Sequence, residues 1–130
     1  MDIVIIGKSK SIITAICELL KDEGDIKTHT LSSSKVFDDA DYDKMCQASI
    51  IIIDLNSIDT NSRLLITEVH ELFPKAGIIA LHIYSSRVLI RPIINAGAAA
   101  YLLVNTSKQE LLETVRKVHG GDDYISCEIT

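Results

Sequence analysis

The sequence predicts an α/β fold, a doubly wound five-stranded parallel sheet with five helices. Three observations carry that expectation. Short β-branched runs such as Ile3-Val4-Ile5-Ile6 and Ile50-Ile51-Ile52-Ile53 are apolar at every position, as central parallel strands covered on both faces are. Between such runs lie stretches whose apolar residues recur at helical spacing. The two kinds of element alternate as far as residue 119 with short connections, which is the pattern of stacked βα units.

The first strand, Ile3–Ile6, ends at Gly7. Ile12, Ile13, Ile16, Leu19 and Leu20 then fall on one helical stripe from Ser11 to Leu20. Ser9 or Ser11 is the N-cap, because a serine hydroxyl can accept from an otherwise orphaned amide, and Gly24 lies just past the end. Ile26 to Leu31 alternates apolar and polar, the pattern of an edge strand exposed on one face. A polar second helix is expected within Ser32–Lys44, with Val36, Phe37, Tyr42 and Met45 as its inner face. Ser49–Ile53 is the third strand and ends at Asp54. The third helix carries Leu64, Leu65, Val69 and Leu72 on one stripe and stops at Pro74, which cannot continue a helical hydrogen-bond ladder. Gly77–Leu81 is the fourth strand, Val88–Ala96 the fourth helix closed by Gly97, and Ala99–Val104 the fifth strand. Pro92 should either kink the fourth helix or mark its start. Ser107–His119 is the last amphipathic helix, terminated by Gly120-Gly121.

At 130 residues the chain is long enough for one domain with a buried core. It is 47% hydrophobic and 24% charged, which excludes a disordered or collagen-like chain. No apolar run approaches the roughly 20 residues of a membrane helix, and the N-terminus lacks a signal-peptide pattern. The three cysteines, Cys17, Cys46 and Cys127, form neither an even framework nor a CxxC pair, which fits reduced thiols. A cytoplasmic location without a membrane partner is therefore expected. With 13 Lys+Arg against 18 Asp+Glu, the net charge of −5 argues against this segment gripping nucleic acid by charge alone. Zinc-ligand spacing is absent, and His29, His70 and His119 are ordinary surface or helix-end residues. Gly7-Lys8-Ser9 has the tail of a phosphate-binding loop, but Asp2 stands where its first glycine belongs.

In doubly wound sheets, ligands and chemistry gather outside the carboxyl ends of the strands. That rule selects Gly7, Lys8, Asp54, His82 and Val104 as the cleft.

Three stretches go beyond the generic pattern: Ile50 to Leu55 (IIIIDL), Pro74 to Leu81 (PKAGIIAL) and Asn95 to Leu103 (NAGAAAYLL), followed by Gly121 to Ser126 (GDDYIS). Together they resemble the receiver domain of bacterial response regulators, in particular the NarL/LuxR type, with its flavodoxin-like, CheY-like fold. The resemblance covers essentially the whole chain. It implies a receiver over 1–120 and, over 121–130, the start of a linker to a helix-turn-helix DNA-binding domain beyond this chain.

The family's chemistry uses an acidic pair after the first strand for Mg²⁺ and an aspartate after the third strand as phosphoacceptor. A Ser or Thr after the fourth strand and a Lys after the fifth contact the phosphoryl oxygens. All of these serve to offset negative charge on the phosphoryl group. On this sequence Asp54 matches the phosphoacceptor. The acidic pair falls on Gly7 and Lys8, the Ser/Thr on His82 and the Lys on Val104. The family's proline after the acceptor falls on Ile58, and Tyr101 occupies its switch-aromatic position. No metal site and no cofactor are therefore expected, the Mg²⁺ site being lost. Lys8 either reaches Asp54, putting a fixed cation where the ion would sit, or points to water. His82 is either a space-filling residue at the mouth of the cleft or a pH-sensitive contact.

The expected function is that of an atypical receiver in a two-component transcription regulator. It would control its effector by conformation and dimerisation, without Mg²⁺-dependent phosphorylation and without enzymatic activity of its own. Homodimerisation is expected through the fourth helix, fifth strand and fifth helix, with Val88, Leu89, Ile90 and Ile93 as the candidate face. DNA would be met only through the further domain. Two alternatives stay open: a receiver that accepts a phosphoryl group on Asp54 from a histidine kinase, and a flavodoxin-like module that binds a small molecule.

Overall fold

The apolar runs become strands and the amphipathic stretches become helices on both sides of them. The computed structural model describes residues 1–31, 39–55 and 62–125. Along the chain it contains β1 (Asp2–Ile6), α1 (Lys10–Leu20), β2 (Lys27–Leu31), α2 (Asp39–Gln47), β3 (Ile50–Asp54), α3 (Ser62–Leu72), β4 (Gly77–His82), α4 (Arg87–Asn95), β5 (Ala100–Leu103), α5 (Lys108–His119) and β6 (Tyr124–Ile125). All strands are parallel, in the order β2-β1-β3-β4-β5-β6. The order reverses at β1, so the switch point lies between β1 and β3, where ligand clefts form in such sheets.

Alternate residues of each central strand face opposite layers. Val4, Ile6, Ile51, Ile53, Ile78 and Ala80 pack with Met45, Ile66, Val69, Ile90 and Ile93 of α2, α3 and α4. Ile3, Ile5, Ile50, Ile52, Ile79 and Leu81 pack with Ile16, Leu20, Leu111, Val115 and Val118 of α1 and α5. Every position of β3 is buried, which is why that strand shows no alternation in sequence. Among the described residues no helix is long and apolar enough to cross a membrane.

The ends of the helices follow local chemistry. Ser9, not Ser11, caps α1, its Oγ accepting from the Ile12 amide at 3.4 Å. Ser107 caps α5 in the same way, accepting from the Glu110 amide at 3.0 Å. At the end of α4, Gly97 has φ +127°, and a Cβ there would stand 2.7 Å from Cγ of His70, so glycine is required on both counts. Pro92 neither starts α4 nor ends it; the helix begins at Arg87 and contains it.

Four expectations need correction. The sheet has a sixth strand: Gly121, at φ +95°, turns the chain back so that Tyr124–Ile125 pair with Ala100–Tyr101 of β5. Two residues carry too little periodicity to be read from sequence. The second helix is Asp39–Gln47; Met45 is buried in it, but Tyr42 is exposed, while Val36 and Phe37 lie outside the described residues. The buried stripe of α3 runs through Ile66 and Val69 to Phe73, which leaves Leu64 and Leu72 more than half exposed. Finally, Ile90 and Ile93 are core residues at 2% and 7% exposure, so of the four proposed dimer-face residues only Val88 and Leu89 face outward.

Candidate functional site

Register assembles the cleft. Ile6 of β1 pairs with Ile53 of β3, so residue 7 stands beside Asp54, and Asp54 pairs with Leu81, one residue before His82. His82 in turn pairs with Leu103, one residue before Val104, whose amide donates to the His82 carbonyl at 3.1 Å. The five sequence-selected residues thus share one end of the sheet, carried on β1, β3, β4 and β5.

Asp54 is fully buried, and Thr114 is the other buried polar side chain among the described residues. Gly7 is buried with its amide donating to the Leu31 carbonyl at 3.1 Å, and Lys8 is exposed. Neither Lys8 nor Asp54 is without a polar or electrostatic partner. Ile58 lies outside the described residues.

The rest of the site is a small aromatic assembly on the β4–α4 connection. The Tyr84 amide donates to His82 Nδ1 at 3.4 Å, and the two rings stack with centroids 4.6 Å apart. Burial pushes the His82 imidazole below its ordinary value, and the negative charge of Asp54 opposes that shift. Burial therefore favours the neutral ring, which leaves Nδ1 able to accept. Tyr101, 1% exposed, donates its hydroxyl to the Tyr84 carbonyl at 2.8 Å. Burial, together with Tyr84, pushes the Tyr101 phenol up to about 12. Tyr84 is thus held from both sides, by His82 through its amide and ring and by Tyr101 through its carbonyl.

Tyr84 escaped the sequence reading. Its part is played by backbone atoms and a ring face, and neither leaves a residue-type signature.

A hard dication needs several oxygen ligands, yet Gly7 offers no side chain, Lys8 brings a positive charge, and Asp54 is the one carboxylate among the cleft residues. Among the described residues no three His, Cys, Asp or Glu side chains group as metal ligands. The site thus sets a buried carboxylate near an imidazole whose burial favours the neutral form, and that imidazole and Tyr101 both hold Tyr84 of the β4–α4 connection.

No protein-family model matches the chain. Over 80 residues, 62% of its length, it is 35% identical to an uncharacterized transcriptional regulatory protein, YhcZ, of Bacillus subtilis strain 168. Over 85 residues, 65% of its length, it is 32% identical to the oxygen regulatory protein NreC of Staphylococcus carnosus strain TM300. The matches span 37% and 39% of those relatives, well under half of each. Among solved structures, the isolated REC domain of RcsB from Salmonella enterica serovar Typhimurium, determined with the phosphomimetic BeF3-, superposes with a TM-score of 0.79 at 14% identity. That superposition covers 99% of this chain and 95% of the other, and shows the same fold.

Proposed function

Because the chain is a receiver domain of the NarL/LuxR type, we propose that it serves a transcription regulator as an atypical receiver, acting through conformation and self-association and not through Mg²⁺-dependent phosphoryl transfer. The observation that supports this reading is the cleft itself, with one buried carboxylate, Asp54, among Gly7, Lys8, His82 and Val104. Phosphoryl transfer to an aspartate needs cations around the developing charge. Here the Ser/Thr position holds an imidazole whose burial favours the neutral form, and the Lys position holds a valine.

The output surface in this reading is the α4–β5–α5 face. Val88 at 80% exposure and Leu89 at 50% offer apolar area to a second copy, next to the loop that Tyr101 and His82 pin. DNA contact belongs to an effector domain outside this chain, and the domain itself is regulatory, with no reaction of its own.

The test is intact mass after incubation with acetyl phosphate and Mg²⁺, alongside an Asp54→Ala control. No adduct, with unchanged elution in size-exclusion chromatography, is the expected result. An adduct that disappears in the control would replace this reading with a receiver phosphorylated on Asp54 by a histidine kinase.

A further inference from the structure

Away from the Asp54 cleft, and sharing no residue with it, a groove of about 600 Å³ runs between α3 and α4. Arg63 from the first turn of α3 and Arg87 and Arg91 from α4 line it, together with Asn95, Val88 and Pro92. Arg87 and Arg91 are four residues apart and so project from one face of the helix. Like charges at that spacing destabilise a helix slightly. Among the described residues no carboxylate pairs with either guanidinium, whereas Arg116 is held by Asp25 and Glu23, and Lys108 by Asp22. Arg63 has polar contacts of its own. In a chain of net charge −5, three arginines gathered on one concavity are a local reversal of sign.

We infer that this groove binds a small molecule bearing two or more phosphate groups. The guanidinium fork matches phosphate oxygens in pairs, where an ammonium would act only as a point charge. Two phosphates carry about three to four negative charges at neutral pH, which complements the paired guanidinium groups of Arg87 and Arg91. The volume lies within the range of small-molecule sites. The apolar wall of Val88 and Pro92 gives the non-phosphate part of the ligand a surface to lie on. Ligand binding here would bear on α4, the helix that also borders the pinned loop, and so would supply an input that needs no phosphoryl transfer.

The probe is inorganic pyrophosphate, titrated without metal into the full chain and followed by calorimetry and by amide chemical shifts. Saturable binding is expected, with shifts gathered at the groove-facing ends of α3 and α4 and with weaker binding of orthophosphate. The Arg87→Gln/Arg91→Gln double variant, changed only at exposed positions, should melt at the same temperature and bind about tenfold or more weakly. Equal binding by the double variant, or shifts that do not saturate or that scatter over the surface, would overturn the assignment. So would tighter binding of a hexaglutamate peptide than of pyrophosphate, since that marks an acidic protein segment as the occupant.

Discussion

The Tyr101 hydroxyl donates to the Tyr84 carbonyl at 2.8 Å across 17 residues of sequence, tying the middle of β5 to the β4–α4 connection. Tyr101 is 1% exposed, so the bond forms where water does not compete freely for it. Tyr101→Phe keeps the packing and removes the bond. It should cost about 1 kcal/mol in denaturant unfolding and speed amide exchange over residues 83–86. Unchanged exchange in that segment would mean the bond does not restrain the loop.

The same burial makes alkaline stability informative. The folded-state value of Tyr101 lies near 12 and the ordinary value is 10.0, so its contribution is fully present below pH 10.0 and is lost as pH rises toward 12. A resonance for Tyr101 that titrates last among the four tyrosines would bear this out. Titration near pH 10 would show that the ring is not held inside.

His82 has the opposite sign. Its folded value lies below the ordinary 6.5, so the unfolded chain takes up the proton first. Stability from this residue is complete above 6.5 and falls as pH drops through the folded value. Protonation also removes Nδ1 as an acceptor for the Tyr84 amide. The melting temperature of the wild type should therefore drop more between about pH 8 and about pH 5.5 than that of His82→Gln. Parallel curves would dissociate His82 from any acid sensitivity of the domain.

The strand and helix alternation of the parallel fold is legible in the sequence, because a period of two or 3.6 survives wherever an element buries one or two faces. Asp54 and His82 end β3 and β4, and Tyr101 lies within β5. The outward face of α4 is not legible in this way. Val88, Leu89, Ile90 and Ile93 are alike in chemistry, and only packing against the sheet separates the exposed pair from the buried one. Ile90→Ala should cost about 2–5 kcal/mol. Val88→Ser should stay within about 0.5 kcal/mol and lower the apparent mass by light scattering. A dimer indifferent to Val88→Ser would move the contact elsewhere.

Supplying the family's acidic pair tests the expectation that this cleft holds no Mg²⁺. Gly7→Asp with Lys8→Asp would place two carboxylates beside Asp54, because residue 7 lies next to it across the β1–β3 pair. The double variant should bind Mg²⁺ more tightly than the wild type, measured by calorimetry. No gain would show that the cleft backbone, and not only its charge, has departed from a metal-binding shape.

The sequence by itself determined the βα alternation, the parallel sheet and the carboxyl-end cleft around Asp54, because solvent exclusion imposes a period on each element and parallel connection leaves few topologies. It also determined which side chains that cleft cannot supply. The tertiary structure decided what no period encodes. It decided that Tyr84 is held by a ring face and two backbone atoms, that Tyr124–Ile125 close the sheet as β6, and that Arg63 meets Arg87 and Arg91 across a groove. Each depends on where atoms distant in sequence come to lie, and burial of the surrounding core, not local propensity, puts them there.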